Sequence, residues 1–217
     1  MEHRKLLVTG CGRSGTLYAS EVWKCQGLDV RHENPLPPNG CMGKDGIASW
    51  YMAVDDPNPP FGPSAAGYEF DFIIHQVRHP LKVIASVAQF ILKDPLSRDY
   101  IERNAPRTRL LAPECSMPRK KQSLLQASRY WYYWNVLAHT KANMTVQVEN
   151  LLASLAEICS MLGISYRREA ANEVSTSTHG RYLYLNEGYW VITWEDVEAL
   201  DRDLCEKILE LATTYGY

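Results

Sequence analysis

The chain has 217 residues, of which 46% are hydrophobic and 22% are charged, and its formal net charge is −2. This composition is typical of a globular protein, and the length fits one large domain with a sizeable core. The near-neutral charge gives no general attraction to nucleic acid or to an anionic membrane, so we expect neither as a partner.

The cysteine pattern and the lengths of the apolar runs indicate where in the cell the protein is located. Six cysteines are scattered without a C-x-x-C pair or a histidine at metal-ligand spacing, which favours reduced thiols. The apolar run near the N-terminus is too short for a signal peptide, and no stretch approaches the roughly 18 apolar residues of a membrane span. We therefore expect a cytoplasmic protein with no membrane span and no metal centre.

Strand and helix patterns alternate, which predicts an α/β fold with a mainly parallel sheet in a single domain over 1–217. The first half contains predicted strands at Leu6–Thr9, Leu28–Arg31 and Phe70–Val77, and predicted helices at Gly15–Gln26 and from Pro80 to about Lys93. The Pro- and Gly-rich stretch between Asn34 and Tyr68 indicates a long loop. A short helix is favoured within it, around Ile47–Ala53.

The second half follows the same alternation. Predicted are an irregular segment at Asp94–Pro118, a helix at about Lys120–Thr140, a strand at Thr145–Val148, and helices at Leu151–Leu162 and Trp194–Thr213. The long helix carries five consecutive aromatic residues, 130–134. Such a cluster is more often core than a base-stacking platform.

A glycine-rich loop, GCGRSG, lies between the first strand and the first helix. The backbone N–H groups of such a loop and the helix N-terminus together bind phosphate or sulfate. The nucleotide-binding template G-x-x-x-x-G-K-[ST], laid on Gly10 and Gly15, places Thr16 at the lysine and Leu17 at the magnesium-binding hydroxyl. The loop therefore lacks two groups that a kinase uses to neutralise the transferred phosphoryl group.

Arg13 is the cation that this loop does contain. Its planar guanidinium group can bind two oxygens of an anion without a metal, and Ser14 and Thr16 add hydroxyl groups. Transfer of a group that needs no metal clamp fits this set, and sulfuryl transfer is the leading candidate.

The segment GCGRSGT at 10–16 resembles the 5′-phosphosulfate loop of the sulfotransferases that use 3′-phosphoadenosine-5′-phosphosulfate (PAPS). The segment IIHQVRHPLKVIASVAQF at 73–90 resembles their 3′-phosphate motif, with Arg78 and Ser86 at its arginine and serine. The physical reading agrees, because Arg78 follows a strand and Ser86 lies about two helical turns, roughly 9 Å, further on.

The resemblance implies a three-layer sandwich of the P-loop nucleotide-hydrolase type, here with a sulfotransferase activity. It implies PAPS as sulfonate donor and PAP as product, with Gly12, Arg13, Ser14, Gly15 and Thr16 at the 5′ end. The acceptor would be a hydroxyl of a glycan or a small molecule. Later segments, VQVENL at 146–151 and TWEDVEAL at 193–200, agree with the family pattern.

Removal of the acceptor's proton needs a base within reach. The second predicted strand ends in VRHE, and the resemblance implies that Glu33, just after this strand, is the general base. His32 is the competing candidate, because other members of the family use a histidine. His75 is expected to be a packed core residue, and His79 is given no role.

The match departs from the family pattern at two places. Arg13 must do the work of the missing loop lysine, with Lys44 as a spare candidate. A C-terminal motif that completes the 3′-phosphate site is absent, and Arg181 in THGR is a candidate substitute. Ser49, Trp50 and Tyr51 are candidates for the acceptor pocket, although packing of the two aromatic rings under a loop explains them equally well.

Two other functions fit parts of the pattern. A small-molecule kinase with a degenerate P-loop would bind ATP with Mg²⁺ and would need an acidic metal ligand at a strand end. A non-catalytic module would bind PAP or another nucleotide without turnover.

Overall fold

The fold was analysed in a computed structural model that describes residues 1–33, 42–60, 62–105, 110–112, 116–174, 188 and 190–217. Its five strands are β1 (Glu2–Thr9), β2 (Val30–His32), β3 (Gly46–Ala48), β4 (Tyr68–Val77) and β5 (Met144–Gln147). They form one sheet in the order β2-β3-β1-β4-β5, and every neighbouring pair is parallel.

The helices in this part of the chain are α1 (Thr16–Cys25), α2 (Pro80–Gln89), α3 (Pro95–Asn104), α4 (Arg119–Lys141), α5 (Leu151–Met161), α6 (Arg168–Asn172), α7 (Trp194–Glu198) and α8 (Arg202–Thr214). Short 3₁₀ turns lie at Tyr51–Ala53, Ala65–Gly67, Ile91–Lys93 and Val148–Asn150. Across the described residues, no helix has the length and apolarity needed to cross a bilayer.

Helices cover both faces of the sheet, which gives three layers. Leu6 and Val8 of β1 point to one face and pack in a cluster that contains Trp23 of α1 and Leu155 of α5. On the other face His75 of β4 reaches α4, within a region whose larger cluster joins α2, α3, α4, α7 and α8. Side-chain alternation along parallel strands that are buried on both faces produces this arrangement.

The position of β1 at the centre determines where a ligand can bind. Leu7 of β1 is aligned with Ile47 of β3 on one side and with Ile73 of β4 on the other. The chain first fills the β3–β2 side and then crosses to β4 and β5, so the strand order changes direction at β1. In open parallel sheets the ligand crevice forms at such a point, beyond the carboxyl ends of the strands.

Most predicted elements, including the parallel sheet, are confirmed within a few residues. A glycine follows the C-cap residue of both α1 and α5. Gly27 and Gly163 both have positive φ, 89° and 65°, as expected for the residue that follows a helix. The aromatic cluster of α4 is core as predicted, because Tyr130, Trp131 and Trp134 are fully buried.

Three expectations from the sequence were wrong. The predicted short helix around 47–53 is β3 followed by a 3₁₀ turn, because Ile47 pairs with strands on both sides and is buried. The predicted irregular segment after residue 93 contains α3, which Asp94 caps by accepting from the Ser97 N–H at 2.8 Å. The predicted last helix is two helices, α7 and α8, separated at 199–201.

Asp201 causes the second of these helices to begin where it does. Its carboxylate accepts a hydrogen bond from the Leu204 N–H at 3.0 Å, in extended backbone geometry. We expect Asp201→Ala to lower the stability by about 1 kcal/mol, which corresponds to a fall in Tm of about 2–4 °C for a chain of this size.

Asp201→Asn is the matched control, because asparagine caps helices about as well as aspartate. Thermal unfolding of the two variants should therefore separate them. Equal destabilisation by both would show that the charge of Asp201, and not its cap, matters.

Candidate functional site

Five segments meet at the carboxyl edge of the sheet, each directly after a strand. They are the loop 10–15 after β1, Glu33 after β2, Ser49 after β3, Arg78 after β4 and Val148 after β5. Polar and cationic groups from distant parts of the sequence therefore face one crevice, as parallel strand pairing requires.

The loop 10–15 has no room for side chains at two of its glycines. A Cβ atom on Gly10 would lie 2.2 Å from the Gln76 carbonyl oxygen of β4. Gly15 has φ +94°, and a Cβ atom there would lie 2.8 Å from Val148. Glycine is needed at both positions because the loop backbone packs directly on neighbouring elements.

Two side chains from other elements hold the loop backbone in place. The Gly12 N–H donates to the Tyr130 hydroxyl of α4 at 3.0 Å, in a buried contact. The Gln76 side-chain amide donates to the Ser14 carbonyl at 3.0 Å. The loop is therefore fixed against both β4 and α4.

Arg13 has a conformation that nothing in its sequence spacing predicts. Its φ is +73°, and it is the one non-glycine residue with positive φ in the described segments. Its Nε donates to the Ser86 hydroxyl at 2.9 Å, and its guanidinium lies 5.6 Å from the centre of the Phe90 ring. Arg78 Nη1 in turn donates to the Arg13 carbonyl at 3.4 Å. These bonds connect residues from the two segments in which the sequence predicts anion sites.

The start of α1 presents donors that an anion can use. The N-cap residue Gly15 makes no side-chain capping bond, and the first turn contains no acidic residue. The Ser14 hydroxyl beside it is buried and has no hydrogen-bond partner within the structure described. Uncapped N–H groups and a free buried hydroxyl are the groups that bind phosphate or sulfate at a helix N-terminus.

Arg78 and Ser86 are connected through Arg13, which bonds the Ser86 hydroxyl with its side chain and accepts from Arg78 with its carbonyl. Arg78 is half-buried between β4 and α2, and Ser86 is buried on the second turn of α2. The first turn of α2 has Pro80 at its start, no side-chain cap and no acidic residue. A second positive helix end therefore faces the same crevice.

His32 and Glu33 contact the loop through Thr16. The Thr16 hydroxyl lies 3.1 Å from His32 Nε2, and the same nitrogen lies 3.3 Å from Glu33 Oε1. His32 Nδ1 lies 2.9 Å from the Glu33 carbonyl oxygen. The side chains of the predicted base and its competitor are thus in contact, and His32 also contacts Thr16, the first residue of α1.

Burial changes the acidity of Glu33. Desolvation raises the pKa of its carboxyl above the ordinary glutamate value, while the His32 charge and hydrogen bonds from Ser49 and the Trp50 backbone oppose the rise. The Glu33 Oε2 atom is buried and makes no hydrogen bond inside the described ranges. This oxygen therefore has unused capacity to accept a hydrogen bond or a proton.

Ser49, Trp50 and Tyr51 follow β3 and are all buried. The Trp50 ring centre lies 3.9 Å from that of Tyr51, and both rings pack against Tyr100. Tyr51 also shares a hydrogen bond with Ser97, at 3.0 Å. Their rings thus occupy protein core in this structure, which agrees with the packing alternative for them.

The other candidates fall outside the crevice. Arg181 lies outside the described residues. Lys44 is exposed, and its backbone N–H donates to Asp29. His75 is fully buried as predicted and bonds the Asn135 side chain at 3.0 Å, and desolvation lowers its pKa to about 4.

Sequence reasoning missed three contributors, namely Tyr130, Gln76 and Phe90. Gln76 stands two residues before Arg78, so its inclusion in the second motif was a signal that could have been followed. Tyr130 is 118 residues from the glycine that it contacts, and its place in the aromatic cluster was the one feature of the sequence that singled it out.

A separate open cavity of about 390 Å³ lies at the other edge of the sheet, near His3 and Tyr68, away from these groups.

Comparison with known proteins leaves the identity open: no protein-family model matches the chain, and a search of curated proteins found no match.

Tyr130→Phe tests the support of the loop. This change removes the acceptor of the buried Gly12 N–H and keeps the aromatic ring, so we expect a loss of about 1–3 kcal/mol in unfolding free energy. Urea denaturation should show a lower midpoint at an unchanged m value.

Tyr132→Phe on the same helix is the control, since Tyr132 is half-buried and its variant should stay within about 0.5 kcal/mol of wild type. Equal losses for the two variants would mean that the contact with Gly12 does not stabilise the fold.

Proposed function

We propose that this chain is a P-loop-type sulfotransferase that moves a sulfonate group from PAPS to a hydroxyl of a small molecule or glycan. The observation that carries the proposal is the position of Arg13. Its side chain connects a loop with unused anion-binding groups to Ser86, and its carbonyl accepts from Arg78. Two arginines, the start of α1 and a hydroxyl of α2 are thereby brought to one edge of the sheet.

A ligand with an anionic group at each end of a nucleoside matches this crevice. The amides of Gly15 and Thr16 would hold the 5′ end, with the Ser14 hydroxyl, because the Ser14 N–H already donates to the Cys11 carbonyl at 3.1 Å. Arg78 and Ser86 would hold the 3′-phosphate. Arg13 has a fork that can bind two oxygens, and it stands between these two groups.

Two features of the loop itself support occupation by an anion. Buried hydroxyl groups in folded proteins almost always have a partner, and an anion oxygen would supply the one that the Ser14 hydroxyl lacks. Arg13 has positive φ, which costs a non-glycine residue about 1–2 kcal/mol. Backbone strain of this kind collects at ligand-binding sites.

The same loop is poorly suited to ATP with Mg²⁺. Leu17 stands where the metal-binding hydroxyl belongs, and Thr16 stands in place of the lysine. The Thr16 hydroxyl is engaged by His32 at 3.1 Å. A group that carries less charge than a phosphoryl group is therefore the better match for transfer.

Glu33 is the proposed general base. PAPS, when bound, supplies a sulfonate that is already activated by its phosphate leaving group. Glu33 takes the proton of the acceptor hydroxyl, and its raised pKa makes it a stronger base than an ordinary glutamate. His32 and the Ser49 hydroxyl hold the carboxyl group in place.

The buried, half-unpartnered carboxylate favours an enzyme over a non-catalytic nucleotide-binding module. Such a module has no need for a desolvated glutamate beside its anion loop, because burial of this group destabilises the ionised form. Measurements of nucleotide binding distinguish a sulfotransferase from a kinase, since a kinase requires ATP with Mg²⁺ and a sulfotransferase binds PAP.

Ligand-induced stabilisation tests the identity of the nucleotide. We expect PAP at a hundred times its Kd to stabilise the fold by about 2.7 kcal/mol without added metal. The Tm should then rise by about 5–10 °C for a chain of this size, and the rise should disappear in Arg78→Ala.

Arg98→Ala is the matched control, because Arg98 is exposed on α3 and pairs only with Glu102 among the contacts described. It should keep the full PAP shift. A rise with ATP and Mg²⁺ but not with PAP would instead support a kinase.

Glu33→Gln tests the base. We expect kcat to fall by about 10²–10⁴-fold, the usual contribution of a general base, with the Kd for PAP changed by less than about twofold. Normal turnover by this variant would exclude Glu33 as the base.

The pH dependence follows from the direction of the pKa shift. Because the carboxyl must be ionised to accept a proton, kcat should fall as the pH drops through the raised pKa, above the ordinary value of 4.5. The raised pKa also affects stability. A carboxyl whose pKa is higher in the folded than in the unfolded state stabilises the fold when it is protonated, and this contribution is lost as the pH rises through the folded-state pKa. Glu33→Gln should therefore have a higher Tm than wild type at neutral pH.

A further inference from the structure

The ring of His32 lies between the anion loop and Glu33, and three contacts fix its orientation. Nδ1 lies 2.9 Å from the Glu33 carbonyl oxygen. Nε2 lies 3.1 Å from the Thr16 hydroxyl and 3.3 Å from Glu33 Oε1. Both ring nitrogens therefore have oxygen neighbours at hydrogen-bond distance.

The chemistry of these neighbours determines where the protons are. A carbonyl oxygen can only accept, so Nδ1 must carry a hydrogen. An ionised carboxylate oxygen can also only accept, so a lone pair on Nε2 would face a second lone pair on Oε1. The contact is favourable when Nε2 carries a hydrogen as well, with the Thr16 hydroxyl oxygen as its other acceptor.

We propose that His32 is a positioning residue, held as an imidazolium whose Nε2–H donates to Glu33 Oε1 and leaves Oε2 to receive the acceptor's proton. The inference rests on the proposed function. His32 is then not an alternative base, because both of its nitrogens are already protonated and cannot take another proton.

The proton transfer balances within these groups. The acceptor's O–H bond breaks, its proton goes to Oε2, and the electron pair stays on the acceptor oxygen, which forms the new bond to sulfur. The bond between sulfur and the donor's phosphate oxygen breaks, and its electron pair leaves with the phosphate. The Nε2–H does not move in this step.

The groups around the pair come from α1 and from the segment after β3. From α1 comes the Thr16 hydroxyl, and from the segment after β3 come the Ser49 hydroxyl and the Trp50 backbone. Tyr51, whose pKa is raised mainly by burial and further by the Glu33 charge, is the other titratable neighbour that interacts with Glu33 in the described chain.

Two substitutions separate positioning from proton transfer. His32→Ala removes both the charge and the donor, whereas His32→Gln removes the charge and keeps an N–H donor in a similar place. We expect kcat at its high-pH plateau to fall about 10-fold or more in His32→Ala and to recover largely in His32→Gln. The acid limb of the kcat profile should move to higher pH in both, because the imidazolium charge that favours ionised Glu33 is lost.

Other outcomes overturn the proposal in recognisable ways. If His32 were the base, His32→Gln would be as inactive as Glu33→Gln and the acid limb would disappear. If His32 were only a packing residue, neither the plateau nor the acid limb would move. The Kd for PAP should stay within about twofold of wild type, and His3→Gln, at an exposed histidine on β1, serves as the control.

A measurement on the free protein keeps the inference testable without turnover. In ¹⁵N NMR of histidine-labelled wild-type protein at neutral pH, both nitrogens of His32 should be protonated. In Glu33→Gln, Nε2 should become unprotonated, since a neutral amide can donate to it. An unprotonated Nε2 in wild type would overturn the proposal, whereas failure to bind PAP would overturn the proposed function and leave this result standing.

Discussion

The close packing of the loop 10–15 against β4 and α4 is the constraint on which the crevice depends. The loop backbone approaches the β4 backbone so closely that Gly10 has no space for a Cβ atom. The Tyr130 hydroxyl and the Gln76 amide then fix the loop at two backbone positions. With the backbone held, Arg13 takes a positive φ and its side chain extends to Ser86 instead of outward.

The electrostatics of the crevice contrast with those of the whole chain. The net charge is −2, yet Arg13, Arg78 and the uncapped N-termini of α1 and α2 face one edge of the sheet. Helix ends supply positive potential through fixed dipoles, without charged side chains that other proteins or membranes could recognise. The structure thus concentrates positive potential at this edge, and the buried Glu33 carboxyl, with its raised pKa, lies at the margin of this region.

Periodicity predicted the fold well where elements are long and apolar, and less well where they are short. The strand β4 and the helix α4 were found from pattern alone. The strand β3 was missed because three residues are too few to show a periodic pattern. It is a strand because it pairs with both β1 and β2, which is a tertiary effect. The helix α3 and the break before α8 were missed although each has an aspartate cap, at Asp94 and Asp201, which is a signal present in the sequence.

The candidate site was predictable in its residues and less so in its contacts. The strand and the helix that carry Arg78 and Ser86 were predicted from the sequence, and Arg13 connects these two residues in the structure. The contact of Arg13 with Ser86 depends on one strained backbone angle, which composition does not reveal. The Thr16–His32–Glu33 contacts depend on how α1 packs beside β2, so the sequence could offer His32 and Glu33 only as alternatives.

A crystal structure of the chain with PAP tests the central claim most directly, because it asks whether one nucleotide uses both parts of the crevice. The account predicts one phosphate group at the Ser14 hydroxyl and the loop amides, and the other within hydrogen-bond distance of Arg78 and Ser86. A nucleotide bound elsewhere, or a loop that stays free of it at saturating concentration, would contradict the account.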